Sequence, residues 1–112
     1  MKRALFIGRW QPIHDGHRWL FNQKLEQDIP ILIAVRETDV DTSNPFTTEQ
    51  VIENLEKEYS EQVGNGTVKI ISIPDIESVN YGRGVGYEIN EYTPPEDISK
   101  ISATEIRKNL KK

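Results

Sequence analysis

Two histidines three residues apart, His14 and His17, stand in the run Gly8-Arg9-Trp10-Gln11-Pro12-Ile13-His14-Asp15-Gly16-His17. The run joins a short apolar segment, Ala4-Leu5-Phe6-Ile7, to a stretch of helical periodicity that begins after Gly16. A strand-to-helix junction of this kind lies at the carboxyl end of a strand, where open α/β sheets bind ligands and where helix N-termini favour phosphate. Gly16 lets a phosphate approach the backbone closely. The imidazoles supply donors or positive charge where phosphate charge develops. A purely structural reading has His17 capping the helix and His14 in the loop.

A second cluster lies near the C-terminus. Ser102 is an N-cap and Glu105, three residues on, completes a capping box. Ile106 and Leu110 then form an apolar stripe, while Lys108, Lys111 and Lys112 suit the C-terminal end of the helix dipole. Arg9 and Arg36 follow the first two apolar runs, so both can reach an anionic ligand at the carboxyl ends of the strands. Arg36 has Asp39 and Asp41 as alternative partners. Trp10 can stack on a ring or pack on the surface. Gly82-Arg83-Gly84-Val85-Gly86 is a glycine-rich segment whose backbone could read a base edge, or simply a turn before an edge strand.

The elements that must position these residues are legible in the pattern. Ala4–Ile7, Ile31-Leu32-Ile33-Ala34-Val35 and Val68-Lys69-Ile70-Ile71-Ser72-Ile73 read as strands of a parallel sheet, the last closed by Pro74. His17 to Gln27 reads as a helix with Leu20, Phe21 and Leu25 on one side, ended by Pro30. Thr47 or Thr48 caps a helix from Glu49 to Tyr59, with Val51, Ile52, Leu55 and Tyr59 at helical spacing. Gly64-Asn65-Gly66 turns the chain back. Such alternation implies right-handed crossovers and an α/β fold.

Composition narrows the function. The chain has 112 residues, enough for one domain, with 18 acidic against 14 basic residues and a net charge of −4. That balance argues against nucleic acid as a partner. Cysteine is absent, which excludes a thiolate metal site and a cysteine nucleophile. Hydrophobic residues make up 36 %, a small core to which a homodimer interface would add burial. No run approaches the length of a membrane span, and no signal-peptide pattern follows Met1, so the expected compartment is the cytoplasm.

His14-Asp15-Gly16-His17 resembles the HxGH signature of the nucleotidyltransferase superfamily, and Ile101-Ser102-Ala103-Thr104-Glu105-Ile106-Arg107 resembles its ISxTxIR signature. Gly8 to Pro12 is similar to the GRFQP run of archaeal-type nicotinamide-nucleotide adenylyltransferases. Asn44-Pro45-Phe46-Thr47 and Ile73-Pro74-Asp75-Ile76-Glu77 also resemble segments of that group. The likeness covers residues 4–77 and 101–110.

The resemblance implies a small Rossmann-like parallel sheet with helices on both faces, in a single nucleotidyltransferase domain over 1–112. It implies transfer of a nucleoside monophosphate from a triphosphate to a phosphorylated small molecule, with release of pyrophosphate. His14, His17 and Arg107 are then the catalytic candidates. Gly8, Arg9, Trp10, Gly16, Ser102, Ala103, Thr104, Gly84, Val85 and Gly86 are assigned to the nucleotide and its phosphates, and Gln11 and Arg36 to the acceptor. Mg²⁺ accompanies the triphosphate, without a protein cage. Where the adenylyltransferase group has a further strand-helix-strand unit, only about 24 residues, 78–101, fill the gap here, which is closer to compact cytidylyltransferase-like proteins and favours CTP as donor. ATP-dependent adenylyl transfer and a non-catalytic nucleotide-binding module are the alternatives.

Overall fold

Three parallel strands carry the structure, here a computed structural model that describes residues 1–84 and 86–94. They are β1 (Ala4–Gly8), β2 (Ile31–Glu37) and β3 (Val68–Pro74), hydrogen-bonded in the order β1-β2-β3. The register pairs Phe6 with Ile33 and Ile33 with Ile70. Between them run α1 (Asp15–Leu25), α2 (Thr48–Glu58) and the single turn α3 (Ser60–Gly64). The result is a small α/β unit, as the alternation of runs and helices demands.

Each element has a local cause. β2 is buried at Ile31, Ile33, Ala34 and Val35, as befits the central strand of a parallel sheet. α2 is capped by Thr47, whose hydroxyl accepts from the Gln50 amide while the Gln50 side chain accepts from the Thr47 amide. Its buried residues, Val51 and Leu55, recur at helical spacing. Tyr59 leaves helical geometry at φ −114°, ψ 31°, so the apolar stripe continues as two helices rather than one. Arg3 ties the amino ends of the strands by donating to the carbonyls of Ile31, Gly66 and Thr67.

The core lies on one face of the sheet. Phe6, Ile31, Ile33, Val35 and Val68 meet Phe21 of α1 and Val51 and Leu55 of α2 there. Successive strands are added in one direction, and right-handed crossovers then place α1 and α2 on the same side. The helix expected over 102–110, together with Val85, lies outside the described residues. The edge strand considered after the glycine-rich segment is not formed: residues 86–94 carry no regular structure. Among the described residues, no helix is long and apolar enough to cross a membrane.

Candidate functional site

The His14-Asp15-Gly16-His17 segment builds the start of α1 in a specific way. His14 is the N-cap, in extended geometry at φ −143°, ψ 179°, and His17 is the third helical residue. The Gly16 amide donates to His14 Nδ1 at 3.0 Å, and the His14 amide donates to His17 Nδ1 at 3.3 Å. The two imidazoles thus form a reciprocal capping box, a role usually filled by Ser or Thr with Glu. The structural reading of the pair thus holds for both rings, through their Nδ1 atoms.

This geometry fixes the role of each ring nitrogen. Each Nδ1 accepts a backbone hydrogen bond, which leaves Nε2 as the donor atom of each ring. The rings stack with centroids 3.7 Å apart, and two imidazolium ions at that separation would repel strongly. Burial first, then the neighbouring His14 and Arg18 charges, pushes the His17 pKa down to about 3. The pair presents its Nε2 edges at the N-terminus of α1, where the helix dipole favours negative charge.

Trp10 supports this arrangement from beneath. It is 5 % exposed and adopts a left-handed backbone, φ 51°, rare for a bulky residue. Its indole N–H donates to the Ala34 carbonyl at 3.2 Å. The ring meets His17 edge-on at 4.8 Å and Phe21 at 5.0 Å. Gly8 makes room for it, since a Cβ there would sit 2.8 Å from Trp10 Cζ2. Trp10 and Gly8 are thereby placed as the support of His17. Gly16 is buried in the first turn of α1.

A second loop is latched onto the first. Gln11, 3 % exposed, uses both ends of its amide on one residue: Nε2 donates to the Phe46 carbonyl and Oε1 accepts from the Phe46 amide, both at 2.9 Å. Arg9 donates to Asn44 Oδ1 at 3.1 Å. Asn44 is oriented in turn by Asp41, whose Oδ1 accepts from the amides of Ser43 and Asn44 and from the Asn44 side chain. These bonds, the Asn44 amide foremost, hold the Asp41 carboxyl below its ordinary pKa. Sequence reasoning named Asn44 and Phe46 only within a family resemblance and Asp41 only as a partner for Arg36, and foresaw none of these bonds. An Asp two to three residues before an Asn is an Asx-turn signal that could have found the last.

Arg36, expected at the acceptor, projects from the carboxyl end of β2. It pairs with Asp75 rather than Asp39 or Asp41: Nε and Nη2 both donate to Asp75 Oδ1, at 2.9 and 2.6 Å. That bond is the main cause holding Asp75 below the usual carboxylate range, and the charge of Arg9 adds to it. The carboxyl ends of β1, β2 and β3 thus carry Arg36 on Asp75, with Arg9 on Asn44 close enough for its charge to be felt at Asp75. Nearby, Thr38 Oγ1 is the one buried side-chain oxygen or nitrogen among the described residues without a hydrogen-bond partner. Gly84 and Gly86 lie in an exposed turn, at φ +71° and +78°. Val85, Ser102, Ala103, Thr104 and Arg107 lie outside the described residues. An open concavity of about 390 Å³ sits at the other end of the sheet, lined by Arg3, Val68 and Ile70 among others, away from the histidines.

No protein-family profile matches the chain. Curated proteins do. A nicotinamide-nucleotide adenylyltransferase from Thermococcus sibiricus is 32 % identical over 77 residues, covering 66 % of this chain and 41 % of that protein. One of the same name from Methanococcus aeolicus is 35 % identical over 98 residues, 86 % of this chain and 54 % of the relative. Another, from Pyrobaculum arsenaticum, is 33 % identical over 101 residues, 88 % and 55 % respectively. The chain spans about half the length of the curated relatives it matches.

Proposed function

We propose that this chain, a relative of the archaeal nicotinamide-nucleotide adenylyltransferases of the nucleotidyltransferase superfamily, transfers AMP from ATP to a phosphorylated acceptor of the nicotinamide-mononucleotide kind. The relatives' activity favours ATP over the CTP expected from chain length. The observation that carries the reading is the stacked, mutually capped His14–His17 pair at the N-terminus of α1. Two Nε2–H donors and a helix N-terminus are suited to a chain of phosphate oxygens.

The chemistry needs no protein nucleophile. An oxygen of the acceptor phosphate attacks the α-phosphorus in line, and the bond from that phosphorus to the pyrophosphate oxygen breaks. His14 and His17 donate from Nε2 to the non-bridging oxygens, where charge gathers. Because both imidazoles are fixed by backbone amides, they need no reorganisation as the charge develops. Arg36 and Arg9 hold the acceptor phosphate at the carboxyl edge, with Asp75 giving way. Mg²⁺ would ride on the triphosphate, since donors of this kind address phosphate oxygens rather than a cation. Ser102, Thr104 and Arg107 belong to the same proposal, on the leaving pyrophosphate.

The test is calorimetric titration with ATP and, separately, CTP, each with Mg²⁺, followed by a pyrophosphate-release assay with nicotinamide mononucleotide. Preferential ATP binding and release abolished by His14→Ala are expected. Preference for CTP would overturn the donor, and tight ATP binding without turnover would leave a nucleotide-binding module.

A further inference from the structure

Arg18 and Glu58 each stand at the wrong end of a helix for their charge. Arg18 closes the first turn of α1, and Glu58 is the last residue of α2. A helix dipole favours anions at the N-terminus and cations at the C-terminus, so each residue is disfavoured where it stands alone. Together they pair. Arg18 Nε donates to Glu58 Oε1, and Arg18 Nη1 donates to Asp15 Oδ1 at 2.8 Å. One guanidinium thus joins two carboxylates, one on its own helix and one 40 residues on. The Arg18 and Glu58 side chains are 40 % and 33 % exposed, and pairs this open add little to global stability. A charge placement that neither the local helices nor global stability rewards points to a use in the site.

That use is mechanical. The first turn of α1 carries His14 as its cap and His17 at its third position. Such a turn has fewer backbone bonds than a helix interior, so side chains must hold it. Phe21, fully buried, anchors α1 three residues after Arg18. Ahead of Phe21 the turn is held from two sides. Trp10, bonded to Ala34 of β2, meets His17 edge-on at 4.8 Å, and Arg18 reaches α2. The far end of that reach is firm, since Tyr59, next to Glu58, packs on Phe21 with centroids 5.9 Å apart. The near end is coupled to the histidines. The Arg18 amide donates to the His14 carbonyl at 3.0 Å, and the His14 ring stacks on that of His17. The Arg18 charge is also felt at His17, whose pKa is lowered by burial first, then by His14 and then by Arg18.

We infer that Arg18 is a positioning residue: by bridging Asp15 and Glu58 it locks the first turn of α1 against α2 and so sets the direction in which His14 and His17 present Nε2. Its effect on the rings stands apart from the proposed reaction, while its effect on turnover rests on that reading. Arg18→Met and Glu58→Met each remove one side of the clamp and keep an aliphatic stem. Nitrogen-15 spectra of the imidazoles at neutral pH show which ring nitrogen carries the proton. In the unaltered chain His17 is expected to hold it on Nε2, because its Nδ1 accepts from the His14 amide. In either variant the His17 signals are expected to move toward the tautomer average of a free imidazole, with near-ultraviolet circular dichroism from the Trp10 core unchanged. For pyrophosphate release, kcat is expected to fall about tenfold, with KM for ATP within about twofold. The double variant is expected to match the singles, since the clamp acts as one unit. Arg18→Lys keeps the charge without the planar fork and is expected to recover part of both readouts. Averaged His17 signals in the unaltered chain, or ring signals that neither methionine variant moves, would overturn the inference. So would ring signals moved by Arg18→Met but not by Glu58→Met. An unaltered chain that releases no pyrophosphate would sink the proposed reaction, and the ring spectra would still decide the clamp.

Discussion

Replacing Gly8 with alanine tests how the site is held from below. The added Cβ would lie 2.8, 2.9 and 3.0 Å from Trp10 Cζ2, Cε2 and Cη2. Carbon contacts are comfortable at about 3.5–4.0 Å, so the indole must retreat by about 0.5–1 Å. It has little freedom to do so, with Phe21 and His17 edge-on at 5.0 and 4.8 Å and its N–H on the Ala34 carbonyl. Overpacking of this kind costs about 1–3 kcal/mol, and weakening a buried hydrogen bond about 1 more. The expected loss is about 2–4 kcal/mol, or about 10–20 °C in Tm for a domain of this size. Thermal and urea unfolding followed by circular dichroism would measure it. Gly82→Ala, with open space around its Cβ, should change stability by less than about 0.5 kcal/mol. Combining Gly8→Ala with Trp10→Phe should cost less than the sum of the two, because the smaller ring relieves the clash. A loss within about 0.5 kcal/mol for Gly8→Ala, or strict additivity of the pair, would refute the claim that the indole is fixed.

Four further outcomes are expected. His17 has its pKa lowered from 6.5 to about 3, so between those values the unfolded chain binds a proton that the native state refuses. Its contribution is complete above pH 6.5 and falls by about 1.4 kcal/mol per pH unit below it; His17→Asn should flatten that part of the pH–stability profile measured in urea. Gln11→Leu leaves the part-buried Phe46 amide and carbonyl without their partner and should cost about 1–3 kcal/mol by urea unfolding. Thr47→Ala removes the α2 cap and should cost about 1 kcal/mol in the same assay. Asp75→Asn should strengthen binding of nicotinamide mononucleotide by releasing Arg36, and unchanged or weaker binding in calorimetry would count against Arg36 as an acceptor group.

Whatever rests on neighbours in the chain could be read from the sequence. The strand runs, the helical stripes of Phe21 and of Val51 with Leu55, the Thr47 cap and the placing of His14 and His17 at a strand-to-helix junction all depend on periodicity or on spacings of a few residues. The tertiary structure decided what depends on distance along the chain. Gln11 and Phe46, and Arg9 and Asn44, are 35 residues apart, and nothing local announces that two loops will latch. Proximity in sequence suggested Asp39 or Asp41 for Arg36, yet the parallel register brings the end of β3 beside the end of β2 and delivers Asp75, 39 residues on. Trp10 could stack on a ligand or pack, and only the empty space above Gly8 made it a core residue. The fixed orientation of the histidines was likewise out of reach of sequence. A spacing of three allows a reciprocal cap, but stacking, burial and the direction of two hydrogen bonds turn two titratable rings into two fixed donors.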